Sequence, residues 1–321
     1  MSDVVKQIEN TGIVPVVKID NAKDAIPLAQ ALTDGGIPVA EITFRTDAAE
    51  ESIKQISSSI PDILVGAGTI LTTEQAESAI KAGAKFIVTP GFSKSVVKLC
   101  IEQKIPVNPG VATPTEIMMA LDLGIDVGKF FPASIFGGLK ALKSMSAPFT
   151  KVKFIPTGGI NADNLVEYIM FPKVFAVGGS WMVKADLIKE GQFAKITKLA
   201  HEAIDTMLGF ELGHIGINTA NAETSLEIAK QISSVFSMTL KQGNSSNFAG
   251  KGIEINKSKG LGANGHIAIA TNTITRAIAF LERKGVAVDM STAKKNASGD
   301  LVAVYLKDEL GGFAVHLLQK K

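Results

Sequence analysis

The sequence predicts an α/β protein: a (β/α)8 TIM barrel followed by a smaller α+β domain of two βαβββ-like modules. Up to about Leu208, short apolar strands alternate with amphipathic helices. Eight such units are the number that closes a barrel. Past Leu208 the pattern changes, and Gly213-His214-Ile215-Gly216-Ile217 is echoed by Gly265-His266-Ile267-Ala268-Ile269. The domains are therefore drawn as 1–208 and 209–321.

In the first domain the expected strands are Ile13–Val17, Val39–Arg45, Leu64–Gly68, Phe86–Thr89, Pro106–Pro109, Val127–Phe131, Lys153–Pro156 and Val174–Val177. Helical patterns lie between them, such as Ala22–Thr33, Thr73–Ala82 and Thr113–Leu123. Gly35-Gly36, Gly83 and Gly124 fall where helix C-termini belong. An open doubly wound sheet uses similar units, but no G-x-G-x-x-G follows the first strand.

In the second domain, strand Glu211–Thr219 precedes helix Ala222–Phe236. Strand-like Ser237–Leu240, a polar loop and Gly252–Lys257 follow. Strand Gly265–Ala270, helix Ile274–Lys284 and strands Val286–Met290, Leu301–Leu306 and Phe313–Leu318 complete the chain.

Composition sets the function classes aside one by one. Hydrophobic residues make up 46% and charged residues 20%, enough for a large buried core. Net charge is +2 and no basic stripe stands out, which argues against nucleic acid as a partner. The single cysteine, Cys100, allows no intrachain disulfide and fits a reducing compartment. It sits in a helical pattern and reads as a core residue. The N-terminus carries acids and no long apolar run, and no stretch is apolar enough to span a membrane. The expected location is the cytoplasm.

The chemistry begins at Lys129. Val127, Lys129 and Phe131 alternate along a strand and share one face. An amine on an apolar face is desolvated, and burial disfavours its charged form. A neutral amine attacks a carbonyl to give a Schiff base. The alternative is a lysine that snorkels to solvent from a strand end. On the second strand Glu41, Thr43 and Arg45 share the interior face, while Ile42 and Phe44 face the helices. A buried Glu and Arg are costly unless paired or used. A structural Glu–Arg pair is the plain alternative.

Barrel active sites lie at the C-terminal ends of the strands. There Gly66-Ala67-Gly68 leaves space, and Thr69 offers a hydroxyl, unless it caps a helix as Thr72 or Thr73 can. Two glycine pairs, Gly158-Gly159 and Gly178-Gly179, follow the last two strands, where barrels commonly hold phosphate. Tight turns are the alternative.

These segments resemble the 2-keto-3-deoxy-6-phosphogluconate / 4-hydroxy-2-oxoglutarate aldolases, a class I aldolase family. The similar runs are Glu41-Ile42-Thr43-Phe44-Arg45-Thr46, Gly66-Ala67-Gly68-Thr69, Thr89-Pro90-Gly91-Phe92, Pro109 to Glu116, Lys129-Phe130-Phe131-Pro132-Ala133, Pro156 to Ile160 and Gly178 to Trp181. They occur in family order. The resemblance implies a Schiff base on Lys129 with pyruvate or the keto acid, and Glu41 as the general acid/base. It implies Arg45 and Thr69 at the pyruvate carboxylate. Thr157, Gly158, Gly159, Gly179 and Ser180 would hold the distal phosphate, and Pro90 and Phe131 would line the pocket. It implies no cofactor for the aldolase, a small keto-acid substrate and a homotrimer. One departure is Ser134, where many relatives carry an acidic residue.

Residues 209–321 resemble the vicinal-oxygen-chelate (glyoxalase-like) superfamily, on weaker motifs. His214 and His266 match the two first-strand ligand positions of that superfamily, and Glu254 matches the late strand of the first module. His316 stands where the second module usually has a glutamate. Such ligands suit zinc, nickel, iron or manganese. The remaining histidine, His201, reads as a surface residue on the last barrel helix.

The expected function is Schiff-base cleavage of a 2-keto-3-deoxy-6-phospho sugar acid to pyruvate and an aldehyde. The competing expectation is a phosphate-binding isomerase or epimerase barrel without a Schiff base. For the C-terminal domain the two expectations are a metal-dependent enzyme and a metal-free regulatory or oligomerisation module.

Overall fold

The computed structural model describes residues 3–320. The chain divides into two compact units between Met207 and Leu208. No described helix is long and apolar enough to cross a membrane.

The first unit opens with α1 (Asp3–Thr11), ahead of the first strand. Its strands are β1 (Ile13–Val17), β2 (Val39–Thr43), β3 (Leu64–Gly68), β4 (Ile87–Val88), β5 (Val107–Asn108), β6 (Gly110–Val111), β7 (Val127–Phe130), β8 (Lys153–Phe154) and β9 (Val177–Gly179). Every pairing among them is parallel, and β9 returns to β1. Pro109 separates β5 from β6 because it has no N–H to give the ladder; its carbonyl still accepts Lys129 N at 2.8 Å. Bridges Phe154↔Val174 and Thr157↔Gly178 complete the ring between β8 and the β9 segment.

The helices around this barrel are α2 (Ala25–Asp34), α3 (Ala49–Ser59), α4 (Thr73–Lys81), α5 (Lys94–Glu102), α6 (Pro114–Leu121), α7 (Gly138–Ser146), α8 (Leu165–Ile169), α9 (Ala185–Lys189) and α10 (Phe193–Leu208). A 3-10 turn, Ala22–Asp24, precedes α2, so the helix expected from Ala22 starts later. At α6, Thr113 and Glu116 form a reciprocal capping box with Pro114 inside it, which fixes the helix start. Thr72 caps α4 by accepting Gln75 N–H, so Thr69 is left for another role.

The barrel interior follows period two. Val14, Val39, Leu64, Phe86, Val88, Val127, Ile155 and Phe175 form its apolar core with Ile8 of α1. Gln7 of α1 reaches Pro38 O, just before β2, so α1 covers the N-terminal ends of the strands. On β2 and β7 the core residues Val39 and Val127 share their face with Glu41 and Lys129. Those faces turn from apolar to charged toward the C-terminal ends. One expectation fails here: β2 ends at Thr43, and Arg45 lies in the following turn, exposed.

Among its described residues the second unit is one mixed eight-stranded sheet with two helices. Its elements are β10 (Glu211–Ile217), α11 (Ala222–Val235), β11 (Leu240–Gln242), β12 (Ser246–Ala249), β13 (Ile253–Asn256), β14 (His266–Thr271), α12 (Ile274–Arg283), β15 (Val288–Lys295), β16 (Leu301–Leu306) and β17 (Ala314–Gln319). The strand order is β11-β12-β13-β10-β14-β17-β16-β15. Strand, helix and three strands thus occur twice, and the two leading strands, β10 and β14, pair antiparallel at the centre. The segment expected as a polar loop holds β12, and Ser237 is a turn residue with φ 53° rather than the start of a strand. Ile253 and Ile255 pack with Ala229, Ile228 and Ile232 of α11. Glu254 alternates with them and points to the other face.

Candidate functional site

In the barrel, Lys129 and Glu41 meet. Lys129 Nζ donates to Glu41 Oε1 at 3.0 Å and Oε2 at 3.4 Å. Both are buried, at 6% and 3% exposure. Glu41 therefore pairs with Lys129 and forms no ion pair with Arg45. A buried ion pair contributes little net stability once desolvation is counted, so this one points to chemistry. Phe131 lies with its ring centroid 5.5 Å from Lys129 Nζ. Gly68 makes room for the pair, since a Cβ there would lie 2.0 Å from Glu41 Oε1, and Gly66 makes room for the Phe86 ring, which a Cβ there would meet at 2.4 Å.

Arg45 is tied down by one bond. Its Nε donates to Thr43 Oγ1 at 3.2 Å, and the Thr43 hydroxyl donates to Val17 O at 2.7 Å. Thr69 follows β3 with φ 59°, an unusual conformation for a β-branched residue. Pro90 lies in the loop after β4; a Cβ on Gly110, the β6 residue level with Lys129, would lie 2.2 Å from Pro90 O.

Thr157 is buried and bridges to Gly178. Gly158 and Gly159 follow with φ 95° and 78°, which side chains rarely adopt. Ser134 donates its hydroxyl to Gly158 O at 2.7 Å and fills the space beside Gly159. Gly179 ends β9 against the Trp181 ring, and Ser180 is exposed beyond it. Cys100 is fully buried, and burial pushes its thiol up to about 11, so it keeps its proton at neutral pH. His201 is exposed, with Asp205 at 2.9 Å.

The second unit gathers the chain's other three histidines. His214 (β10), His266 (β14) and His316 (β17) present ring nitrogens that all lie within 4.8 Å of one another. His214 Nε2 is 3.1 Å from His266 Nε2. Glu254 Oε2 of β13 lies 2.9 Å from His214 Nε2 and 3.2 Å from His266 Nε2. Register explains the meeting: Gly216 aligns with both Glu254 and His266, and Ala268 aligns with His214 and His316.

Burial raises the Glu254 carboxyl, but hydrogen bonds with His214, His266 and Ser246 outweigh it and hold the group well below the usual carboxylate range. Burial, then the neighbouring His214 and His266, pushes the His316 imidazole down to about 4. Its Nδ1 faces Leu317 O at 3.3 Å, while its Nε2 is buried with no hydrogen-bond partner. The orphaned His316 nitrogen, grouped with those of His214 and His266, and the Glu254 carboxylate that touches the latter two make a donor set that fits a divalent transition metal. Tyr305 of β16 lies against the His316 ring, tilted by 33° with 4.7 Å between centroids.

The family model for "KDPG and KHG aldolase" matches residues 4–199. The chain belongs to this aldolase family. The 2-dehydro-3-deoxy-phosphogluconate aldolase of Treponema pallidum is 46% identical over 204 residues, 64% of this chain and 97% of that protein. A structure of the KDPG aldolase of Legionella pneumophila, with pyruvate captured as a covalent carbinolamine, is 40% identical with a TM-score of 0.61. It covers 63% of this chain and 98% of that one. A structure of the Zymomonas mobilis enzyme with 3-phosphoglycerate is 43% identical with a TM-score of 0.59, covering 63% and 94%.

The aldolase is thus a class I lyase, whose family chemistry runs through a lysine Schiff base without a metal. The family match ends before the second unit. Several residues of these sites carry no signal in the sequence. Asn108 lines the same interior cavity as Glu41 and Lys129. Ser246 and Tyr305 adjoin the histidine cluster. Only long-range pairing brings them there, and no local pattern marks them.

Proposed function

We propose that the barrel reversibly cleaves 2-keto-3-deoxy-6-phosphogluconate to pyruvate and glyceraldehyde 3-phosphate, and takes 4-hydroxy-2-oxoglutarate by the same chemistry. The buried contact of Lys129 Nζ with Glu41 Oε1 at 3.0 Å carries this reading. Glu41 takes a proton from Lys129, and the amine attacks the C2 carbonyl. The carbinolamine loses water to give an iminium. Glu41 then removes the C4 hydroxyl proton. The C3–C4 bond breaks, its electron pair moves into the iminium, and the aldehyde leaves. Protonation of the enamine at C3 and hydrolysis release pyruvate and restore the lysine. A carboxylate in contact with the amine suits each of these transfers.

In this reading Arg45 and Thr69 hold the pyruvate carboxylate, since a guanidinium pairs well with a carboxylate. Pro90 and Phe131 line the pocket. Thr157, Gly158, Gly159, Gly179 and Ser180 receive the phosphate, supported by the left-handed backbone at Gly158 and Gly159. A homotrimer in the cytoplasm belongs to the same reading. The exposed side chains of Ile135 (82%) and Phe136 (51%), after the Lys129 strand, support an interface there.

The test is borohydride reduction with pyruvate. We expect a stable mass gain on Lys129 and no activity in Lys129→Ala. Activity that survives that substitution, or no trapping, would favour an isomerase or epimerase barrel.

For residues 209–321 we propose a vicinal-oxygen-chelate domain in which His214, Glu254, His266 and His316 hold a divalent ion. Bound there, such an ion would act as a Lewis acid toward a substrate oxygen. The twofold strand-helix-three-strand pattern and the orphaned His316 Nε2 support this. Near-stoichiometric metal in the purified protein, lost in His214→Ala/His266→Ala, is the expected result. No metal in either protein would leave a binding or assembly module.

A further inference from the structure

We propose that Ser246 is the positioning residue of the C-terminal centre, holding Glu254 to a single ligating oxygen. The inference rests on the metal reading above and concerns how this chain presents its carboxylate.

A carboxylate can meet a metal through one oxygen or both. Here the two oxygens of Glu254 have different surroundings. The Ser246 hydroxyl donates to Oε1 at 2.5 Å, a short charge-assisted bond. Oε2 instead faces His214 Nε2 at 2.9 Å and His266 Nε2 at 3.2 Å. Ser246 is 4% exposed on β12, beside the strand that carries Glu254. In the β12–β13 register it aligns with Asn256, two residues beyond Glu254 and on the same face. Its hydroxyl therefore reaches Glu254 diagonally across the pair. The strand pairing fixes that approach: Asn247, the next residue on β12, faces the opposite side and bonds Ser225 of α11 at 2.9 Å.

With Oε1 engaged, the chain offers Oε2 and the ring nitrogens of His214, His266 and His316. Removing the hydroxyl frees Oε1 to ligate as well, or lets the carboxylate turn away. Either change alters the donor set. Partners of ligating groups typically alter metal affinity about 10–100-fold when removed.

The experiment uses the full chain, Zn2+ in competition with a chelator, and Co2+ as the spectroscopic probe. We expect Ser246→Ala to change Zn2+ affinity by about 10-fold or more and to change the visible Co2+ band. Ser246→Thr, which keeps the hydroxyl, should stay within about 3-fold of the parent and keep its spectrum. The zinc-loaded minus metal-free infrared difference spectrum, with the Glu254 band assigned by its loss in Glu254→Gln, gives a second reading that does not depend on a change at Ser246. A carboxylate splitting wider than that of a free carboxylate is expected for one-oxygen ligation. Equal affinity and equal spectra in parent and Ser246→Ala, or a narrow two-oxygen splitting, would overturn the role of Ser246 while leaving the metal site. A parent that takes up neither ion would instead overturn the metal reading, and the proposal with it.

Discussion

Gly68 stands where any side chain would strike Glu41, its Cβ falling 2.0 Å from Oε1. The carboxylate reaches Lys129 only because β3 is bare at that point. We therefore expect Gly68→Ala to push Glu41 off Lys129 while the barrel still folds. The loss of a positioned acid/base typically costs about 10²–10⁴-fold in rate, so kcat should fall by at least about 100-fold. Steady-state kinetics beside circular dichroism checks this. A kcat within about threefold of the parent would mean that Glu41 does not need this placement.

Thr43 links a barrel strand to the exposed Arg45. Its hydroxyl gives its proton to Val17 O and accepts from Arg45 Nε, which restrains an otherwise free guanidinium. If Arg45 holds the pyruvate carboxylate, Thr43→Val should raise KM for pyruvate in the condensation direction. A single hydrogen bond contributes about 0.5–1.5 kcal/mol, or roughly 2–12-fold. The KM for the aldehyde should stay near the parent value, and Thr43→Ser should restore the first. Arg45→Ala serves as the control: if it leaves the pyruvate KM unchanged, the carboxylate reading fails and not the Thr43 contact.

These two cases show what sequence carries. Alternation along β2 and β7 put Glu41 and Lys129 on interior faces, because period two is a local property of a strand. Alternation carries the strand on to Arg45, but the chain turns after Thr43, and local alternation does not announce a turn. Glu41's partner was equally hidden: Lys129 lies 88 residues away and meets it through the barrel. In the second unit the repeated Gly-His-Ile pattern marks β10 and β14. β12 leaves no such mark, because Ser246-Asn247 is polar and the strand is only four residues long. The meeting of four side chains from four adjacent strands depends on sheet order, which composition and periodicity do not contain.

Cys100 gives a pH prediction. Burial raises its thiol from 9.0 to about 11 in the fold, so the protonated form is favoured there. That contribution is fully present below about pH 9 and is lost as pH rises through about 11. The shift corresponds to roughly 3 kcal/mol at most. Urea unfolding at pH 8 and pH 10.5 should show a steeper loss in the parent than in Cys100→Ala. Iodoacetamide should label the native protein slowly and the unfolded chain quickly. Fast labelling of the native protein at pH 8 would contradict the burial argument.

An ion that binds the folded centre better than the unfolded chain also stabilises the fold. At about 100 times its Kd the gain is roughly 2.7 kcal/mol. We expect Zn2+ to raise the unfolding midpoint of the parent, and a chelator to reverse the rise. His316→Gln replaces the orphaned Nε2 with an amide, a far weaker ligand, at a position packed against Tyr305. The variant should lose most of the zinc-dependent rise. Its metal-free midpoint is the internal control, because packing changes move that value whether or not zinc binds. An equal zinc-dependent rise in parent and variant would remove His316 from the ligand set and leave His214, His266 and Glu254 as the remaining donors.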